Sequence, residues 1–239
     1  MHSRSLWIAG FSAALAVMAT LSAEASLTYD LRVVGGVDSK TAYIAANGQL
    51  VTMELWAVVQ GAGPGLEGFQ YGYGSVLSGN GGNIKGNLTA TLAAPFNASG
   101  SQNGTPTDLD GDGDLDLGSA ASVQDLNFLD ARSGQTETVG NPIANGQEFK
   151  LAIVKFLVTS VGSFSNFTTI SVNFRVTDFS LGMQNEALWQ EDGLPKQSNG
   201  GGTLPSVGTA VLISVPEPSS LLLLGAGVAV GGALRRRRN

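Results

Sequence analysis

The sequence predicts an all-β domain, an antiparallel two-sheet sandwich of about eight or nine strands. Three observations carry this. Apolar residues recur with period two, clusters of Gly, Asn and Ser interrupt the runs, and no window sustains the 3.6-residue period of a long amphipathic helix.

Each strand follows from its own alternation. Leu27, Tyr29, Leu31 and Val33 alternate with Thr28, Asp30 and Arg32, and Val51, Met53, Leu55 and Ala57 alternate with Thr52, Glu54 and Trp56. Phe69, Tyr71 and Tyr73 repeat the pattern, as do Leu88, Ala90 and Leu92. Phe149–Val161 and Phe167–Val176 are long β-branched and aromatic runs, and Gly208–Ser214 closes the series. Turns are expected at Gly61–Gly65, Ser78–Asn83 and Ser198–Gly202. Between Ala98 and Glu148 the alternation fades, so this stretch is expected to be a long insertion outside the core.

Both ends are addresses rather than fold. His2 and Arg4 begin a weakly basic region, Leu6 to Leu21 is apolar, and Ala23-Glu24-Ala25 supplies a small-x-small cleavage site. Residues 1–25 therefore form a signal peptide, and the mature chain starts at Ser26. At the other end Pro216-Glu217-Pro218 precedes an uncharged stretch, Ser219–Leu234, and then Arg235, Arg236, Arg237 and Arg238. The two prolines fix φ and remove backbone donors, leaving Glu217 extended and accessible. The 16 residues 219–234 make a transmembrane helix of about 24 Å at 1.5 Å per residue. That is short for a hydrocarbon core of roughly 30 Å. The arginines hold that end on the cytoplasmic side.

Residues 215–239 resemble the PEP-CTERM sorting signal of bacterial surface proteins: motif, apolar helix and basic end occur in the family's order. The resemblance implies processing by an exosortase after signal peptidase has acted. It also implies a membrane-anchored intermediate in the inner membrane, followed by the cell surface or extracellular matrix.

Removing both addresses leaves residues 26–214, with 17 acidic and 8 basic residues and a net charge of −9. Nucleic acid and anionic lipid should repel such a domain, whereas a divalent cation is a partner it invites. The chain has no cysteine, and its one histidine, His2, lies in the signal peptide. Ser-His-Asp and Cys-His chemistry and the usual zinc sites are thereby excluded from the mature domain.

One motif carries metal chemistry. Asp108, Asp110, Asp112, Asp114 and Asp116 alternate over nine residues, with Gly111 and Gly113 between them. Hard oxygen ligands at this density suit Ca²⁺. In the register of an EF-hand-type loop, Asp108, Asp110 and Asp112 stand at positions 1, 3 and 5, and Gly113 at the sharp turn of position 6. Asp114 would offer its backbone carbonyl and Asp116 a direct or water-mediated contact. The motif resembles the Asp-x-Asp-x-Asp-Gly loops of dockerins and thrombospondin-type repeats. A dockerin needs a pair of such loops, and this chain has one. Ser119 replaces the bidentate acid of position 12, so full coordination requires Asp125, Asp130 or another acid to fold back.

The order of strands is similar to the cohesin and carbohydrate-binding sandwich superfold, which implies binding or assembly more often than catalysis. The expected function is a non-enzymatic structural or adhesive surface protein, stabilised by calcium. The alternative is a carbohydrate-binding module in which Trp56, Tyr71 and Tyr73 stack on extracellular polysaccharide. The third reading is a glycoside hydrolase using Glu54 and Glu67.

Overall fold

A computed structural model of the chain describes residues 26–61, 66–79, 84–119, 126–137, 140–162, 167–173, 187–197 and 205–216. The signal peptide with Ala23 and Ala25, and the tail from Glu217 through the helix 219–234 to Arg238, lie outside the described residues. Every described element is a β-strand. In chain order they are β1 (Ser26–Val33), β2 (Thr41–Tyr43), β3 (Leu50–Gln60), β4 (Gly68–Gly79) and β5 (Lys85–Leu92). Three two-residue strands follow, β6 (Gln102–Asn103), β7 (Pro106–Thr107) and β8 (Asp116–Leu117), and then the longer β9 (Leu129–Glu137). Then come β10 (Asn141–Ile143), β11 (Gly146–Ser160), β12 (Phe167–Asn173) and β13 (Ala187–Glu191). The last are β14 (Leu194–Gln197), β15 (Ser206–Val207) and β16 (Val211–Ser214).

They form two sheets. The first runs β10-β11-β3-β1-β15, and β5 pairs with β11 on the edge that also takes β10. The second runs β14-β13-β4-β12-β16-β2, with β9 and β8 on the remaining edge of β4. Among the strand pairs described, β1 with β15 and β2 with β16 run parallel, and the rest are antiparallel.

The alternation read from sequence becomes the core. Val51, Met53, Leu55, Ala57 and Val59 of β3 are buried together with Leu27, Tyr29 and Leu31 of β1. Each buried Val, Leu or Met among them contributes about 1.5–3 kcal/mol through the water it leaves. Phe69 of β4 joins the sheets: its ring meets Tyr29 edge-on at 6.1 Å and Phe96 at 5.5 Å, and lies 6.3 Å from Phe149 of β11. A bulge between Lys150 and Ala152 lets β11 change phase, so Leu151 and Ala152 are both buried while Lys150 and Ile153 face outward.

Two sequence expectations need correction. The stretch from Ala98 to Glu148 is not an insertion outside the core. It contains β6 to β10, β9 pairs with β4, and Phe128, Leu129 and Ala131 are buried. β6, β7 and β8 are too short to show as period two, and the polar residues and Gly134 of β9 blur its alternation. The strands also outnumber the eight or nine expected: one addition is the β13–β14 hairpin, whose two-residue turn places Asp192 at φ 51° and Gly193 at φ 76°. Asp-Gly supplies the positive φ such a turn demands, and the hairpin buries Trp189.

Candidate metal centre

The aspartate loop lies where the two sheets meet. β4 ends nearby with Ser78 and Gly79, and β5 begins with Lys85 and Gly86. Gly111 and Gly113 take φ of 79° and 92°, a region that L side chains with a Cβ avoid, which turns the chain sharply as expected of position 6. Each turn is closed by a carboxylate. Asp108 accepts the Gly111 N–H at 2.7 Å and the Gly113 N–H at 3.2 Å, while Asp110 accepts from Asp112 at 3.2 Å and Asp112 from Asp114 at 3.1 Å.

The later aspartates are drawn inward. Asp116 accepts the Leu109 N–H at 2.9 Å and the Ser78 N–H at 2.7 Å. The Ser78 hydroxyl donates toward Asp114 Oδ1 at 2.8 Å and Asp116 Oδ1 at 3.1 Å. A hydroxyl has one proton, so it serves only one of them at a time. Asp114 is 2% exposed, and its Oδ2 is buried with no hydrogen-bond donor. Lys85 Nζ donates to Asp112 Oδ2 at 2.7 Å.

All five sequence candidates therefore come together, in two overlapping groups. One oxygen from each of Asp108, Asp110 and Asp116 lies within 4.8 Å of the others, and the same holds for Asp110, Asp112 and Asp114. Asp114 differs from expectation: its side chain, not only its backbone carbonyl, reaches the cluster. Burial pushes its carboxyl up to about 7; the Ser78 hydrogen bond opposes this, and the neighbouring Asp112 and Asp116 add to it. Burial also raises Asp116, against the hydrogen bonds from Leu109 and Ser78. For Asp112 burial acts upward too, but the Lys85 ammonium and the Asp114 contacts reverse it and hold the carboxyl low.

Neither Ser119, at position 12 itself, nor Asp130 completes the site. Ser119 exchanges hydrogen bonds with Ser75, and Asp130 is bound by Arg132 at 2.6–2.8 Å. Asp125 lies outside the described residues. Sequence reading also missed Ser78 and Lys85, which carry no motif and become partners only through sheet packing.

The aromatics proposed for sugar stacking are engaged within the protein. Tyr73 is 2% exposed and packs on Phe128, while Tyr71 lies under the Arg132 guanidinium at 5.6 Å. Trp56 sits on the outer side of β3 at 8% exposure, with Arg32 and Lys150 over its ring at 5.2 and 5.9 Å. The two glutamates named for glycosidase chemistry are separately engaged. Glu54 pairs with Lys150 at 3.2 Å, and Glu67 is buried and accepts the Leu66 N–H.

The last strand, β16, ends at Ser214, and there the sorting region begins. The model of the PEP-CTERM protein-sorting motif matches residues 214–238. The fold and this motif together define an exported all-β surface protein. The chain carries a PEP-CTERM signal, is held at the membrane before exosortase processing, and is then on the cell surface or released. Among curated proteins, none matches the chain. Among solved structures, a cohesin–dockerin crystal structure, the complex of CaDoc0917 with CaCohA2, is similar at 10% identity. It covers 80% of this chain and 99% of the other with a TM-score of 0.30, too loose a likeness to bear on function.

Proposed function

We propose that the protein is a non-enzymatic structural or adhesive component of the bacterial envelope or extracellular matrix, stabilised by calcium at the aspartate loop. The observation that carries the reading is the junction at Ser214, where a β-sandwich passes directly into a surface-sorting signal. The lack of cysteine, and of any histidine after His2, supports a role without Ser-His-Asp or Cys-His catalysis. Signal peptidase and an exosortase-type enzyme are its processing partners.

Deleting the gene should weaken surface or matrix cohesion while glycan turnover stays unchanged. Release of sugars from a glycan panel by the purified protein would overturn the non-enzymatic reading. Mass spectrometry of the surface form should find Ser26 at one end and a terminus close to Pro216–Pro218 at the other. An intact Arg235–Arg238 tail on most surface molecules would leave a plain membrane anchor instead.

One observation favours the carbohydrate-binding alternative. A cleft of about 280 Å³ beside Trp56 is lined by Pro95, Asn141, Glu148 and Lys150, and the indole Nε1 is buried with no acceptor. A sugar hydroxyl at the cleft floor would supply one. Polysaccharide pull-down with wild type and Trp56→Phe, which keeps a ring but loses the N–H, separates this reading from the first.

A further inference from the structure

The aspartate loop is bonded to both sheets within a few residues. Leu115 donates its N–H to the Gly86 carbonyl at 3.0 Å and accepts the Leu88 N–H at 2.8 Å, both in β5 of the first sheet. Two residues later Leu117 pairs with Val76, in β4 of the second. The side chains divide the same way: Asp114 and Asp116 reach Ser78 of β4, and Asp112 reaches Lys85 of β5. The loop is thus a clasp across the open seam between the sheets.

The clasp is short of positive charge. Lys85 brings one ammonium to five carboxylates, and Ser78 brings one hydroxyl proton to two acceptors. Both oxygens of Asp108 and both of Asp116 are held by backbone N–H groups, whereas Asp112 is held by the Asp114 N–H and the Lys85 ammonium. Asp108 and Asp116 shape the loop. Asp114 is different: its Oδ2 is buried and has no donor, and one of its carboxylate oxygens lies within 4.8 Å of one from each of Asp110 and Asp112. A buried carboxylate oxygen without a partner is costly, and a hard divalent cation is the partner that three convergent carboxylates fit.

We propose that one Ca²⁺ binds through the side chains of Asp110, Asp112 and Asp114, and that this ion latches the two sheets together at the β4–β5 seam. The proposal rests on the calcium reading above and adds to it: the ion acts on the sandwich, not only on its own loop. Carbonyl oxygens and water complete the six to eight ligands that calcium takes.

Calorimetric titration of the full chain with CaCl₂, and hydrogen exchange with and without EDTA, test it. The expected affinity is that of extracellular modules, a Kd of about 10⁻⁴–10⁻³ M. At free calcium about ten times Kd, amides whose exchange requires release of the ion should slow about tenfold. Residues 75–79 and 85–88 should slow together with 112–118, while the β13–β14 hairpin should not. Asp114→Asn should abolish both binding and seam protection. Asp110→Asn, at an exposed position, repeats the test if the buried substitution fails to fold. Calcium binding with protection confined to 108–118 would overturn the latch and leave the site. Absence of binding, or equal response to Mg²⁺, would overturn the calcium reading as well.

Discussion

Ser78 donates its hydroxyl to Asp114 Oδ1 at 2.8 Å, although 36 residues separate them in the chain. Its backbone N–H reaches Asp116 at 2.7 Å. One serine at the end of β4 therefore anchors the buried half of the acidic loop. Ser78→Ala should lower stability in EDTA by about 1–3 kcal/mol, because a buried acceptor loses its donor. Saturating calcium should shrink the deficit by holding Asp114 independently. Urea unfolding in both conditions reads the difference, and equal deficits would separate Ser78 from the metal site.

Lys85 is a resident cation beside Asp112, and a calcium ion must share that carboxylate with it. Lys85→Met should therefore tighten calcium binding by about tenfold, or about 1.4 kcal/mol. The gain stays well below the full Coulomb energy because both side chains are partly exposed and screened. The same substitution should lower stability in EDTA. Calorimetric titration checks the affinity, and an unchanged Kd would show that the ammonium does not compete.

Gly118 leaves the loop at φ 128°, and a Cβ there would lie 2.9 Å from Ser75 Cα. Backbone cannot yield as a side-chain tip can. Gly118→Ala should cost about 1–3 kcal/mol from conformational strain alone, and more from the contact. Thermal melts with and without calcium should both fall, since the strain is independent of the ion.

Asp30 makes stability depend on acid. Burial pushes its carboxyl up, but hydrogen bonds from Lys40 and Arg32, with their charges, outweigh burial and hold it below the ordinary value of 3.8. The unfolded chain then takes up the proton more readily than the folded one. Asp30 thus contributes stability above the ordinary value, and this is lost as pH falls through the lower folded value. Wild type should lose urea resistance between about pH 5 and pH 2 more steeply than Asp30→Asn. Parallel curves would mean that these ion pairs add nothing to folding.

Phe69 is fully buried, with Tyr29, Phe96 and Phe149 around its ring. Phe69→Ala should cost about 3–5 kcal/mol, the transfer term plus an unfilled cavity between the sheets. Phe69→Leu should recover much of that. Chemical denaturation of both variants, with circular dichroism confirming the β signal, tests whether this contact joins the two layers.

The long strands were legible in sequence because burial on one face writes itself as period two. β1, β3, β5 and β11 lie where Leu27, Val51, Leu88 and Phe149 begin their runs. The sorting signal was legible for another reason: it is read as an extended linear address, so order and spacing suffice. The glycine register and the five aspartates of the loop also needed no tertiary knowledge. What only the tertiary structure decided is which of those aspartates go inward and what meets them. Asp114 is buried and Asp110 exposed although each stands between a leucine and a glycine in sequence; Ser78 of the second sheet meets Asp114, while Lys85 of the first meets Asp112. Strand pairing and sheet packing bring those residues together across the seam. Local alternation reports which face of a strand is buried, but not which distant residue will lie against it.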